Sequence, residues 1–181
     1  MNQITAILHQ IPEFAQLLAA IEGGACPAAV SGLAAVHRAH FSAGLYRQGG
    51  RPLVVVCADE LEARRLMDDL SALAGEEPAL LVGREFTFHN AATVSRQWEH
   101  RRLDLLSRMA EGQAPLIVAT VEGLLQRTIP PALLRRTVRR LELGKSYDLN
   151  ELAEALTAGG YARCDQVEGV GQFALRGGIL D

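Results

Sequence analysis

The run Leu53-Val54-Val55-Val56-Cys57 constrains the fold more than any other stretch of this chain. Five consecutive apolar residues leave no face for water, so a strand made from them belongs in the middle of a parallel sheet covered on both sides. The surrounding residues keep the matching rhythm. Strands at 28–31, 53–57, 79–82 and 116–119 alternate with helices at 36–48, 60–74 and 94–111, the pattern of a doubly wound, mainly parallel α/β sheet. Asp59 stands where an N-cap is needed and Gly75 where a C-cap is needed, which marks both ends of the second helix. In the long helix Val94, Trp98, Leu105 and Met109 share one face and read as core. Two short amphipathic segments, 3–10 and 12–21, precede the alternation, and Gly23-Gly24 ends the second.

The first turn between strand and helix, Gly32 to Arg38, lies in the frame of a phosphate-binding loop. Such a loop needs glycines that let backbone amides wrap phosphate, a lysine for the terminal phosphates and a hydroxyl for Mg²⁺. Here Ala35 and His37 crowd the cradle, Arg38 is bulkier than lysine, and Ala39 cannot ligate a metal. Gly32, His37, Arg38 and Ala39 therefore read as a degenerate Walker A loop that is not expected to bind nucleotide. One glycine is also what any strand-to-helix turn requires, so the bland reading stands beside this one. Asp59-Glu60 follows a strand but opens a helix, which suits capping better than Mg²⁺ binding. No catalytic residue, ATPase activity or cofactor is expected of this segment.

With 181 residues, 49% hydrophobic and 22% charged, the chain holds one domain, or one and the start of a second. It has no apolar stretch near the roughly 20 residues of a membrane span and no secretory leader pattern, so a cytoplasmic protein with no membrane partner is expected. Cys26, Cys57 and Cys164 are odd in number and far apart, which indicates neither a disulfide framework nor a zinc site. His9, His37, His40, His89 and His100 show no ligand spacing, so no metal is expected. A net charge of −3 is not the footprint of a nucleic-acid-binding surface. Two rivals still stand. One is a DNA-gripping face built from Arg101, Arg102, Arg135, Arg136, Arg139 and Arg140. The other is a nucleotide crevice lined by Ser31, Asp59, Glu85 and Thr120.

Near Thr128 the texture changes, and the expected domains are 1–128 and 129–181. The second reads as a smaller α+β domain. It has a helical turn at 132–136, a strand at 138–143, a helix at 149–158 capped by Asp148, and antiparallel strands around 162–167 and 172–181. Gly178-Ile179-Leu180-Asp181 resembles a strand in progress, so an incomplete domain in a piece of a longer protein is expected.

Several segments, in order, carry a family likeness. They are Arg84-Glu85-Phe86-Thr87-Phe88-His89-Asn90, Ser95-Arg96, Arg102-Leu103, Asp165-Gln166-Val167-Glu168, and Gln172-Phe173-Ala174-Leu175-Arg176-Gly177-Gly178-Ile179-Leu180-Asp181. Together they resemble the N-terminal region of the bacterial transcription-repair coupling factors, a region that is itself similar to the helicase-like excinuclease protein UvrB. The resemblance implies a module that has lost its nucleotide site and recruits the excinuclease protein UvrA through the small domain, with Arg176 as a contact. It implies that RNA polymerase and DNA are engaged by C-terminal regions after Asp181, where an ATP-driven translocase would lie, and not by this segment. Read from the residues alone, Arg176 serves equally well as an interface anchor or as half of a pair inside its own domain. Phe173 reads as core, Gly177-Gly178 as a bulge or tight bend, and residues 84–90 as a loop at the sheet edge.

Overall fold

Hydrogen bonding along one strand organises the first part of the chain. The computed structural model describes residues 3–83 and 96–181. In it β3 (Leu116–Thr120) lies between β1 (Leu53–Cys57) and β2 (Ala79–Leu81), all parallel, in the order β1-β3-β2. β1 pairs from Leu53 opposite Leu116 to Cys57 opposite Thr120, and β2 from Ala79 opposite Ile117 to Leu81 opposite Ala119. With a neighbour on each side, β3 is buried at every residue. The run at 53–57 is therefore an edge strand and not the centre, with Val54 and Val56 44% and 51% exposed. Hydropathy marks both strands as coverable on two faces. Pairing order decides which of them is.

The chain divides into two compact units, Met1–Glu85 with Glu111–Arg127, and Phe86–Ala110 with Thr128–Asp181. In the first, the helices α1 (Gln3–Ala6), α2 (Pro12–Glu22), α3 (Ala35–Gly49) and α4 (Glu60–Ala74) precede or flank the strands, and α6 (Val121–Leu125) follows β3. The side chain of Asp59 accepts a hydrogen bond from the Glu62 amide at 2.8 Å, and Gly75 at φ 73° ends α4, both as the residue types require. Ala43 of α3 and Ala63, Leu70 and Ala74 of α4 bury against Cys57, Leu116 and Val118. The opening helices close over α3 elsewhere: the Phe14 and Phe41 rings meet edge to face at 5.2 Å. A Cβ at Gly44 would press on Leu8 Cδ1 and lie 2.8 Å from Phe14 Cζ, so the buried Leu8 and Phe14 side chains would have to shift to admit one.

The strand expected at 28–31 is absent, and those residues are exposed irregular chain. Two alanines, a valine and a serine bury too little apolar area to offset roughly 1–2 kcal/mol per residue of backbone ordering. The sheet accordingly begins at Leu53 among the described residues.

In the second unit α5 (Arg96–Ala110) packs against α7 (Pro131–Thr137), and α8 (Leu149–Ala158) packs on β4 (Ala162–Arg163). Of the face read as core on the long helix, Leu105 is buried and Met109 exposed, while Val94 lies outside the described residues. The side chain of Asp148 accepts from the amides of Asn150 and Glu151 and starts α8 as expected. The strand expected at 138–143 does not form. Val138, Leu141 and Leu143 are exposed, and the Glu142 amide donates to Tyr147 Oη at 2.9 Å, closing a turn where a ladder partner would be needed. β4 and β5 (Gln172–Phe173) pair parallel, not antiparallel. The intervening loop makes a full return, held where Gln172 Oε1 accepts from the Glu168 and Gly169 amides at 2.8 and 3.1 Å. β6 (Leu175–Arg176) and β7 (Ile179–Leu180) do pair antiparallel.

Two measurements check this fold. A Cβ at Gly123 would stand 2.5 Å from the Leu81 carbonyl oxygen, a backbone atom that cannot swing aside. Gly123→Ala should therefore cost about 2 kcal/mol or more in urea unfolding. Burial first, and then the negative charge of Glu62, pushes the Cys57 thiol above its ordinary 9.0. The folded protein holds the proton that the unfolded chain releases, so this contribution is complete below pH 9.0 and is lost as pH rises through the folded value. Melting temperature should fall above pH 9.0, and Cys57→Ala should flatten that fall.

Candidate partner-binding site

The last ten residues build a short hairpin on a buried base. Phe173 and Ala174 are buried and fasten its base. The Cys164 amide donates to the Phe173 carbonyl at 2.9 Å, and the Cys164 thiol donates to the same oxygen at 3.4 Å. Further out, Ala174 and Asp181 exchange backbone hydrogen bonds at 3.2 and 3.0 Å. Leu175 then pairs with Leu180 and Arg176 with Ile179. Gly177 and Gly178 join the strands in two residues, at φ 54° and 89°. Two consecutive positive φ values are those of the hairpin turn whose twist matches paired strands, and side chains tolerate them poorly. The glycine pair read as a bulge or tight bend is this turn.

Residues directly opposite one another share a face, as do residues two apart along a strand. Arg176, Ile179 and Asp181 therefore lie on one face near the tip. The guanidinium of Arg176 donates through Nη2 to Asp181 Oδ2 at 2.8 Å, and the two side chains are 62% and 43% exposed. Arg176 is thus paired within its own unit, while most of its side chain is left to solvent. Sequence reasoning does not single out Asp181 and Ile179. The usable signal is the Arg-Gly-Gly-x-x-Asp spacing, which a two-residue turn folds back on itself.

The degenerate loop residues lie in the first unit and do not form one cradle. Gly32 has φ 79° in exposed chain, while His37, Arg38 and Ala39 sit in the opening turns of α3. Arg38 Nη1 pairs with Glu62 Oε1 at 2.8 Å, and Ala39 is fully buried. Of the crevice residues, Asp59 and Thr120 cap α4 and α6 with their side chains, and Ser31 is exposed. Glu85 and the rest of 84–95, including the Phe-His-Asn segment, lie outside the described residues. Of the arginines in the DNA reading, Arg102 stacks 5.7 Å over the Trp98 ring, and burial lowers its pKa. Arg139 donates to the Arg136 carbonyl at 2.7 Å. Among the described residues no group of His, Cys, Asp and Glu could hold a metal ion, and no single helix is long and apolar enough to cross a membrane.

The hairpin falls within a recognised module: residues 140–181 match the family described as the UvrB interaction domain. Residues 140–181 are thus similar to the UvrB interaction domain. Along its length it is 27% identical over 183 residues to the transcription-repair-coupling factor of Bacillus subtilis, covering 100% of this chain and 16% of that protein. It is 32% identical over 158 residues to that of Myxococcus xanthus, covering 83% and 13%, and 26% identical over 153 residues to that of Staphylococcus aureus strain USA300, covering 84% and 13%. The chain therefore spans about a sixth or less of the length of these relatives. These matches bear out the resemblance read from the residues: the chain is related to the N-terminal, UvrB-like region of the transcription-repair-coupling factors.

The turn geometry can be checked directly. At φ 89° the Gly178→Ala variant should lose about 1–2 kcal/mol of stability. Amide hydrogen exchange at Ala174 and Asp181, which bond to each other, should speed up with it.

Proposed function

We propose that this chain is a non-catalytic recruitment module that binds the excinuclease protein UvrA and so brings excision repair to sites where RNA polymerase has stalled. The observation that carries the reading is the interaction-domain match over 140–181, which contains a projecting hairpin with an exposed arginine at its tip. Arginine offers a planar fork that fits a carboxylate, and such residues at interface centres cost about 2 kcal/mol or more when truncated. The first unit fits a scaffold of degenerate helicase-like type. The side chain at the position of the phosphate-binding lysine, Arg38, is engaged by Glu62, and Ala39 offers no hydroxyl for Mg²⁺. On this reading the segment has no ATPase activity and needs no cofactor, and it works in the cytoplasm. Translocation on DNA and contact with RNA polymerase belong to other regions of the longer relatives.

Calorimetric titration of purified UvrA tests the proposal. The wild-type chain should bind, and Arg176→Ala and Arg176→Glu should each weaken binding about tenfold or more, equivalent to about 1.4 kcal/mol. Equal affinity of folded wild-type and variant chains would remove Arg176 from the interface.

A further inference from the structure

Arg176 does not stand alone at the hairpin tip. Ile179 lies directly opposite it across the turn and is 64% exposed, although an isoleucine gains nothing from contact with water. Asp181, two residues further on the same face, holds one end of the guanidinium through Nη2 at 2.8 Å. The backbone beneath is closed at two points. Gly177-Gly178 closes the strands in two residues, and the exchanged hydrogen bonds of Ala174 and Asp181 pin the carboxylate's own main chain.

We propose that Ile179 and Asp181 complete the recognition element, with Ile179 as its apolar contact and Asp181 as the residue that positions Arg176. An arginine has five N–H donors, and the hydrogen bond to Asp181 uses one of them. Four remain, and the other N–H of Nη2, with the Nε or Nη1 donor beside it, still forms a fork for a second carboxylate. An arginine held by one carboxylate keeps fewer rotamers, so less freedom is lost when a partner takes the free edge. An exposed ion pair does little for the stability of the fold. Its consequence here is where the fork points. The matching surface on the partner is a carboxylate beside a small apolar patch, since the hairpin presents a cation and a branched apolar side chain opposite one another. This inference rests on the recruitment reading above and says which chemistry that reading uses.

The test is a set of titrations against UvrA with Ile179→Ala, Asp181→Asn, Arg176→Ala and the double variant Arg176→Ala/Asp181→Asn. Circular dichroism and melting temperature of every variant exclude unfolding. Ile179→Ala should weaken binding about fivefold and Asp181→Asn about threefold. In the Arg176→Ala background Asp181→Asn should change nothing further, because a positioning residue acts only through the group it holds. Ile179→Leu should retain the wild-type affinity to within about twofold. If Arg176→Ala weakens binding while Ile179→Ala and Asp181→Asn do not, the present inference fails and the recruitment reading survives. Tighter binding by Asp181→Asn would mean that the carboxylate competes with the partner, and would overturn the positioning role. If the wild-type chain fails to bind, the recruitment reading itself fails and this inference falls with it; if Arg176→Ala binds as the wild type does, Arg176 leaves the interface and the positioning role of Asp181 is overturned.

Discussion

The two-sided pairing of β3 is the constraint on which the first unit depends. Leu116–Thr120 accepts β1 on one side and β2 on the other, in parallel, and none of its residues is left to solvent. Parallel strands cannot be joined by a short turn, so the chain must cross the sheet between them, and α4 carries it from β1 on one side of β3 to β2 on the other. From that arrangement follow the burial of Ala63, Leu70 and Ala74 against the sheet and the placing of Cys57 in the core. The short α6, whose Gly123 lies against the Leu81 carbonyl, follows from it as well. A glycine there is required by a backbone-to-backbone approach too close for any side chain.

The second unit uses different physics. Its strands are two residues each, too short to be stable as a sheet. What holds them are local devices: the Gln172 side chain bonding two amides of its own loop, the Cys164 bonds to the Phe173 carbonyl, and the edge-to-face contact of His100 with Tyr161 at 5.9 Å. The buried Phe173 and Ala174 then support a hairpin whose glycine turn fixes the direction of Arg176. The region matching an interaction domain thus ends in a short hairpin closed by a two-glycine turn above a buried base.

Much of this is legible in the residues. The spans of β1, α4 and α8 coincide with the expected ones, because Asp59, Gly75 and Asp148 mark the helix ends and a run of five apolar residues marks the strand. Arg176 is legible through a family resemblance and not through chemistry, since an arginine beside two glycines is ordinary in isolation. Its partner Asp181 is not, because the contact spans a turn whose conformation depends on two positive φ angles. The strands expected at 28–31 and 138–143 fail, the first for want of apolar area to bury and the second because a local turn takes its place. Alternation and apolar character qualify a segment for pairing but do not provide a partner.

By itself the sequence determined much of the local structure: the helices α4 and α8 with their ends, the run that forms β1, and where the Gly-Gly turn falls. These depend on capping, backbone sterics and periodicity, which act within a few residues. Only the tertiary structure decided that Leu53–Cys57 is an edge and Leu116–Thr120 the centre, and that β4 and β5 run parallel. It also decided that Arg38 turns to Glu62, and that Arg176, Ile179 and Asp181 share one face. Each of these is a choice among partners distant in sequence or brought together by a turn, and such choices follow from the hydrogen bonds and buried area of the whole arrangement, which no single segment contains.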